Sequence, residues 1–145
     1  EDYSWLNYAS VTDTMAFASE YASQAGRAND YSIGLLVDAQ PLVKGKNAVV
    51  KVSAQIYSDQ KSSNAQMIIQ LENQGNHYFY KPFFLHEFNR QNEWTYMEFA
   101  CALPTIQNQD DQLRVFFFNN RKAELFLVDD LVIEVLTLTE VPDNL

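Results

Sequence analysis

Apolar and polar residues alternate along most of the hydrophobic stretches of this chain. In "VVKVSAQIYS", residues 49–58, one set of alternate positions is apolar, namely Val50, Val52, Ala54 and Ile56. The intervening positions carry Lys51, Ser53, Gln55 and Tyr57. Because successive side chains of a β-strand point to opposite faces of the sheet, this alternation predicts a strand with one face in a hydrophobic core.

The same alternation predicts further strands. Three of them have clear apolar faces, formed by Ile33, Leu35 and Val37, by Met67, Ile69 and Leu71, and by Met97, Phe99 and Cys101. Four more strands are predicted at "HYFYKPFFL", "QLRVFFFN", "ELFLVDDLVIEVL" and, more weakly, "MAFASEY". Turn residues separate these strands at "KGKN", "ENQGN", "FNRQNE" and "NQDDQ".

This pattern favours a single all-β domain over residues 1–145, folded as an antiparallel β-sandwich of about eight or nine short strands. A helix at 14–25 is an alternative suggested by its alanines. It ranks below a strand followed by a turn at Gly26, because β-branched and aromatic residues fill most other apolar runs at the wrong period for helices.

Charge narrows the choice of partners. The chain has 145 residues, and 19 acidic against 10 basic residues give a formal charge of −9. Such a chain repels phosphate backbones and anionic lipid surfaces, so nucleic acid is excluded as an expected partner. The sequence contains no apolar run of about 18 residues, so no membrane insertion is expected. Because the first residue is Glu1 and not Met, the domain is expected to be excised from a larger extracytoplasmic protein.

Five segments, in this order, resemble the jelly-roll carbohydrate-binding modules that are grouped with galactose-binding-like domains. They are "EDYSW" at 1–5, "ASQAGRAND" at 22–30, "VVKVSAQIYS" at 49–58, "NEWTYMEFACALP" at 92–104 and "LFLVDDLVIEVL" at 125–136. The resemblance implies a jelly roll, an extracellular, cell-surface or periplasmic location, and a role for Trp94 in packing at the edge of the core. The single cysteine, which permits no internal disulfide, and the lack of an N-x-S/T sequon indicate a protein of bacterial style. A fold of this kind is shared by glycan binders, adhesion modules and structural spacers.

Two adjacent carboxylates, Asp129 and Asp130, interrupt the last apolar strand. Alternation along that strand predicts that Asp129 points inward and Asp130 toward solvent. A buried carboxylate requires a cation or several hydrogen-bond donors. The resemblance implies a structural calcium ion held by Asp129, Glu1 and the carbonyl of Arg27, and calcium accepts such oxygen ligands. The other interpretation is that Asp129 caps a turn or accepts hydrogen bonds.

Sugar recognition requires flat aromatic rings for stacking and planar polar groups for hydroxyls. The predicted outward faces supply both, in Gln55, Tyr57, Gln70, Tyr78, Tyr80, Arg114, Phe116 and Phe118. Period two alone does not decide which alternate of "RVFFF" points inward. These aromatic residues can equally be ordinary sheet formers.

No catalytic motif emerges. "LHEFNR" at 85–90 has Asn89 where a zinc site of the H-E-x-x-H type needs its second histidine. Nothing in the spacing selects a pair among Glu72, Glu87, Glu98, Asp110 and Asp111 for glycoside cleavage. The sequence therefore predicts no enzyme but a noncatalytic module that binds a polysaccharide or glycan through one sheet face. The rival prediction is an extracytoplasmic structural or protein-interaction domain that buries this face against a neighbouring domain.

Overall fold

A computed structural model describes residues 3–6, 11–12, 22–25, 34–43, 47–120 and 123–138. These residues form two five-stranded sheets with the strand orders β1-β4-β9-β6-β7 and β2-β3-β10-β5-β8, referred to below as the first and the second sheet. All strand pairs inside both sheets are antiparallel. The strands of the first sheet are β1 Tyr3–Leu6, β4 Gly34–Asp38, β6 Gln66–Asn73, β7 Asn76–Phe84 and β9 Gln112–Phe118.

The second sheet contains β2 Val11–Thr12, β3 Ala22–Ala25, β5 Asn47–Ser58, β8 Thr95–Ala102 and β10 Phe126–Leu138. A one-turn helix, α1 Ala39–Val43, follows β4. No helix in the described part of the chain has the length and apolarity that a membrane span requires. The predicted all-β sandwich is confirmed. The described residues form ten strands, of which β1, β2 and β3 have only two to four residues each.

The core lies between the two sheets and follows the predicted alternation. Val50, Val52, Ala54 and Ile56 of β5 are buried, and Met97 and Cys101 of β8 lie on the same side. Aromatic rings pack between the two sheets. The ring centroids of Phe117 in β9 and Phe126 in β10 are 6.2 Å apart, and those of Phe83 in β7 and Phe99 in β8 are 4.5 Å apart. The predicted strand "MAFASEY" and the turn at Gly26 lie outside the described residues.

The predicted turn "ENQGN" is confirmed as a tight hairpin between β6 and β7. Gln74 and Gly75 occupy its two central positions with φ angles of 50° and 83°. Hairpins that match the twist of their flanking strands need positive φ at both positions, and glycine adopts it without a steric penalty. This hairpin sets the pairs Asn73–Asn76 and Glu72–His77 at the end of the two strands.

A β-bulge in β10 overturns the predicted orientation of Asp129. Asp129 pairs with Gln55, but Val132 pairs with Ser53, so one extra residue is inserted between them. Asp130 sits in this insertion with a φ angle of 51° and donates its backbone N–H to Asp129 Oδ1 at 2.8 Å. Aspartate tolerates this left-handed conformation better than most residues.

The bulge exchanges the two faces of β10. Phe126 and Val128 belong to the core before it, and after it the half-buried residues that pack on the core are Leu131, Ile133 and Val135. Asp129 therefore lies on the outer face beside Gln55, and the prediction that it points inward is wrong. The prediction that Asp130 faces solvent is confirmed.

Strand β7 forms one edge of the first sheet and carries Lys81 and Pro82 in its middle. Its neighbour β6 is buried on both faces from Met67 to Glu72. Proline inside a sheet is confined to edge strands, since it has no N–H to donate to a second neighbour. The first sheet therefore ends at β7.

Gly34 provides the close approach between β4 and β9. A Cβ atom at this position would lie 2.8 Å from the carbonyl oxygen of Val115 and 2.9 Å from Cβ of Phe116. Neither atom is the flexible end of a side chain, so the strands would have to separate. We expect Gly34→Ala to lower the free energy of unfolding by about 2 kcal/mol, as overpacking does elsewhere, measured by urea unfolding.

Gly75→Asn is the matched control for this substitution. A Cβ at Gly75 meets nothing within 4 Å, and asparagine accepts its positive φ. Equal stability of Gly34→Ala and the wild type would show that β4 and β9 can move apart freely.

Candidate functional site

Five of the eight predicted binding residues lie together on the outer face of the first sheet. Tyr80, Gln70 and Arg114 form one row across β7, β6 and β9, because Gln70 pairs with both of the others. Phe116 and Phe118 follow at alternate positions of β9. Neighbouring strands are about 4.8 Å apart, so the row from Tyr80 to Arg114 spans about 10 Å. We call this surface the Tyr80 face, and it comprises Gln70, Glu72, Tyr80, Phe84, Arg114, Phe116 and Phe118.

A hydrogen-bonded polar network occupies the middle of the Tyr80 face. Arg114 Nη2 donates to Glu72 Oε1 at 3.0 Å, and Gln70 Nε2 donates to Glu72 Oε2 at 2.8 Å. Glu72 is 5% exposed, and Arg114 keeps about a third of its side chain in solvent. Arg114 thus neutralises the Glu72 carboxylate, and Gln70 donates a hydrogen bond to it. These two contacts fix the planar groups of all three side chains in place.

Aromatic rings surround this network at two depths. Tyr80 is 44% exposed and Phe84 is 55% exposed, whereas Phe116 is buried. The Tyr80 ring is supported from one side by His77, whose ring centroid lies 5.1 Å away. Exposed rings beside fixed planar polar groups can stack on an apolar ligand surface and bond its hydroxyls at the same time.

The other three predicted residues do not join this surface. Gln55 and Tyr57 lie on β5 of the second sheet, so the prediction that all the binding residues share one sheet face is wrong. Tyr57 contacts Trp94, with 5.6 Å between their ring centroids. Trp94 therefore packs on Tyr57. The alternation of apolar and polar residues predicts which side chains of a strand face outward, but it does not predict which of the two sheets the strand joins.

Tyr78 turns toward the core and not toward solvent. A second bulge lies in the β6–β7 pair, because Glu72 pairs with His77 but Leu71 pairs with Phe79, which leaves Tyr78 as the extra residue. The Tyr78 side chain packs on the core, and its hydroxyl donates to Asp111 Oδ2 at 2.7 Å. Burial and this hydrogen bond raise the pKa of Tyr78 to about 12, so its hydroxyl stays protonated at neutral pH and remains a donor to Asp111.

Two of the three predicted calcium ligands, Glu1 and Arg27, lie outside the described residues. The third, Asp129, is half-exposed on the outer face and accepts the N–H of Asp130. Among the described residues, no three His, Cys, Asp or Glu side chains cluster as a metal site would require. The calcium site therefore stays a prediction, while the hydrogen bond to Asp129 agrees with the turn-capping interpretation.

Sequence reasoning missed two members of the Tyr80 face. Glu72 was assigned to the turn "ENQGN", yet it is the carboxylate that joins Arg114 to Gln70. Phe84 follows Tyr80 and Pro82 at alternate positions of β7, and this spacing was the available signal for it. The partners of Glu72 have no sequence signal, because Arg114 is 42 residues away.

The two five-stranded antiparallel sheets define a jelly-roll β-sandwich of the kind found in carbohydrate-binding modules. The sequence matches no model of a protein family and no curated protein. Solved structures do match the fold. A structure described as "Family 16 Carbohydrate Binding Module-2" is similar with a TM-score of 0.56 and 11% identity, covering 90% of this chain and 89% of that chain.

Two further structures share the architecture. The C-terminal family 22 carbohydrate-binding module of Clostridium thermocellum Xyn10B gives a TM-score of 0.51 at 14% identity, covering 97% of this chain and 86% of that chain. An arabinose-bound α-L-arabinofuranosidase gives a TM-score of 0.50 at 12% identity, covering 88% of this chain but only 22% of that chain. These identities show a common fold, which hosts more than one function.

Proposed function

We propose that this chain is a noncatalytic carbohydrate-binding module of a secreted or cell-surface protein and that it binds glycan on the Tyr80 face. The observation that carries the proposal is the single row in which exposed Tyr80 stands beside Gln70 and Arg114. The similarity in fold to structures named as carbohydrate-binding modules supports it.

The chemistry of the face suits an uncharged sugar. Tyr80 and Phe84 offer rings to the apolar faces of pyranoses, and Arg114 offers planar donors to hydroxyls, while the buried Gln70 holds Glu72 in place. The Arg114–Glu72 ion pair places no net charge on the face. Hydrogen bonding therefore occurs without an attraction for anionic ligands, in agreement with the acidic balance of the whole chain.

Binding is tested by calorimetric titration with soluble xylan, β-1,4-galactan and mixed-linkage β-glucan. For the polysaccharide that binds, we expect Tyr80→Ala to raise Kd about fivefold, the equivalent of about 1 kcal/mol of lost stacking. We expect Arg114→Lys to raise Kd about tenfold, because lysine retains the charge opposite Glu72 but loses the planar set of donors.

Leu136→Ala is the control, because Leu136 is 49% exposed on the opposite sheet. All three variants should keep the melting temperature of the wild type to within a few degrees, which separates binding from folding. Unchanged affinity of both Tyr80→Ala and Arg114→Lys for a polysaccharide that the wild type binds would contradict the proposed face.

A further inference from the structure

A second aromatic surface lies on the other side of the molecule. Tyr57 of β5 and Trp94, just before β8, face each other with ring centroids 5.6 Å apart and an angle of 49° between the rings. Tyr96, two residues after Trp94, is 53% exposed. Gln55 pairs with Tyr96, and Gln55 and Tyr57 share the outer face of the second sheet. Aromatic residues thus lie in two adjacent rows.

A row of polar groups accompanies these rings. Gln55 pairs with Tyr96 on one side and with Asp129 on the other, so the three residues lie in line across β8, β5 and β10. Each of the three is at least partly exposed. An amide and a carboxylate beside a phenol ring are suited to bonding neighbouring hydroxyls of a sugar ring. We call the surface formed by Gln55, Tyr57, Trp94, Tyr96 and Asp129 the Tyr96 patch.

The backbone holds this surface in a defined shape. Asn92 adopts a φ angle of 60°, its N–H donates to the Ser58 carbonyl at 2.8 Å, and its Oδ1 accepts the Tyr57 hydroxyl at 3.3 Å. On the β10 side of the patch, the bulge lets the Asp130 N–H donate a hydrogen bond to Asp129 Oδ1. The rings and the carboxylate are therefore positioned before a ligand arrives, which lowers the entropic cost of binding.

Charge around the patch limits what it can bind. Asp129 belongs to the patch, and Asp130 and Glu134 are exposed on the same strand. Lys51, on the same face of β5, is paired with Glu98 at 3.0 Å. A uronate or sulfate group would meet this negative field unfavourably, whereas an uncharged hydroxyl pair can donate to a carboxylate.

We propose that the Tyr96 patch is a second carbohydrate-binding site, specific for uncharged sugar rings and independent of the Tyr80 face. The two surfaces are the outer faces of opposite sheets, so one molecule can hold two glycan chains or two segments of one chain. Simultaneous binding at both surfaces raises the overall affinity for a polymer above that of either surface alone.

The position of Trp94 makes the test specific. The chain contains two tryptophans, so a Trp5→Phe background leaves Trp94 as the fluorescent reporter. We expect its emission to shift on titration with β-1,4-galactan, xylan or mixed-linkage β-glucan and to stay unchanged with polygalacturonate. In this background Tyr96→Ala should raise the Kd obtained from the fluorescence titration at least tenfold, and Gln55→Ala should raise it several-fold.

Two comparisons decide whether the patch acts independently. Leu136→Ala should leave the titration unchanged. With trisaccharides of the same glycans, which are too short to reach both sheets, Tyr80→Ala should leave it unchanged as well. The proposal is overturned if none of the three neutral polysaccharides shifts the emission, if Tyr96→Ala leaves the titration as it was, or if Tyr80→Ala abolishes the titration with the trisaccharides. A wild-type dimer that Tyr96→Ala dissociates in sedimentation velocity would assign the patch to a second copy of the chain and also overturn the proposal.

Discussion

Replacing Asp111 with alanine is expected to lower the free energy of unfolding by about 3 kcal/mol. Asp111 is fully buried, and its carboxylate accepts five hydrogen bonds. Tyr78 Oη, Gln107 N and Asn108 N donate to Oδ2, and Asn73 Nδ2 and Asn108 Nδ2 donate to Oδ1, at distances between 2.7 and 3.2 Å. Alanine would remove the shared acceptor of all five donors, among which Tyr78 and Asn73 are half-buried.

The position of Asp111 explains why the effect should be global. Its carboxylate ties the β6–β7 hairpin, through Asn73 and Tyr78, to the segment that enters β9. Its own carbonyl oxygen accepts the N–H of Ala39 at 2.9 Å, which anchors the start of α1. Urea unfolding of Asp111→Ala measures the sum of these contacts.

Tyr78→Phe is the matched control, because it removes one of the five donors and leaves the carboxylate satisfied by the others. We expect this control to cost about 1 kcal/mol. If Asp111→Ala proved no more destabilising than Tyr78→Phe, the carboxylate would not organise this region.

The same carboxylate gives stability a defined pH dependence. Burial alone would raise the pKa of Asp111, but the hydrogen bonds from Tyr78, Asn108 and Asn73 outweigh it and lower the pKa from 3.8 to about 2. A lowered folded-state pKa contributes stability that is present above pH 3.8 and is lost as the pH falls toward 2. Asp111→Asn should therefore flatten the stability profile of the wild type between pH 4 and pH 2.

Replacing Glu124 with alanine is expected to lower the free energy of unfolding by about 3 kcal/mol as well. Glu124 is 1% exposed. Its Oε2 accepts the hydroxyls of Ser58 at 2.8 Å and Ser63 at 2.5 Å, and its Oε1 accepts the N–H of Asn64 at 3.2 Å. Removal of the side chain would leave a cavity together with three donors that have lost their acceptor.

These contacts stabilise residues 59–65, the segment that connects β5 of the second sheet to β6 of the first sheet. Ser58 ends β5 in the second sheet, and Ser63 and Asn64 precede β6 in the first. Both serine hydroxyls also accept backbone N–H groups, from Gln60 and Ala65, at 3.1 Å. Glu124 therefore holds the loop at residues 59–65 through the hydroxyls of Ser58 and Ser63, which also accept backbone N–H groups of this loop.

Two controls separate the roles of volume and hydrogen bonding. Glu124→Gln keeps the volume but turns an amide NH2 group toward either the two hydroxyls or the Asn64 N–H, so we expect about half the loss. Ser63→Ala removes a single contact and should cost about 1 kcal/mol. Equal melting curves for Glu124→Ala and the wild type would show that residues 59–65 are held by other contacts.

The alternation of apolar residues predicted most of the sandwich, because a strand with one buried face leaves a period of two in the sequence. The faces of β5 and β8 were predicted correctly at every core position. The prediction failed in β10, where one inserted residue exchanges the faces. The pair Asp129–Asp130 was the visible sign of this bulge, but the sequence alone also allowed an inward carboxylate with a cation.

The binding surface was less predictable, because β5 and β6 follow each other in sequence but join different sheets. Gln55 and Gln70 both read as outward-facing amides, and both are, yet they point away from each other across the molecule. The structural roles of Asp111 and Glu124 depend on partners that lie 33 and 61 residues away at Tyr78 and Ser63. No local pattern reports such long-range partners.

The lysine and proline in edge strand β7 have a consequence for the proposed binding to a polysaccharide. A solid polysaccharide gathers bound molecules at high local density, where exposed sheet edges of identical chains meet often. Pro82 has no N–H to offer an approaching strand, and Lys81 places a charge at the same edge. If the proposed function holds, copies crowded on a glycan surface would therefore not pair edge to edge through β7.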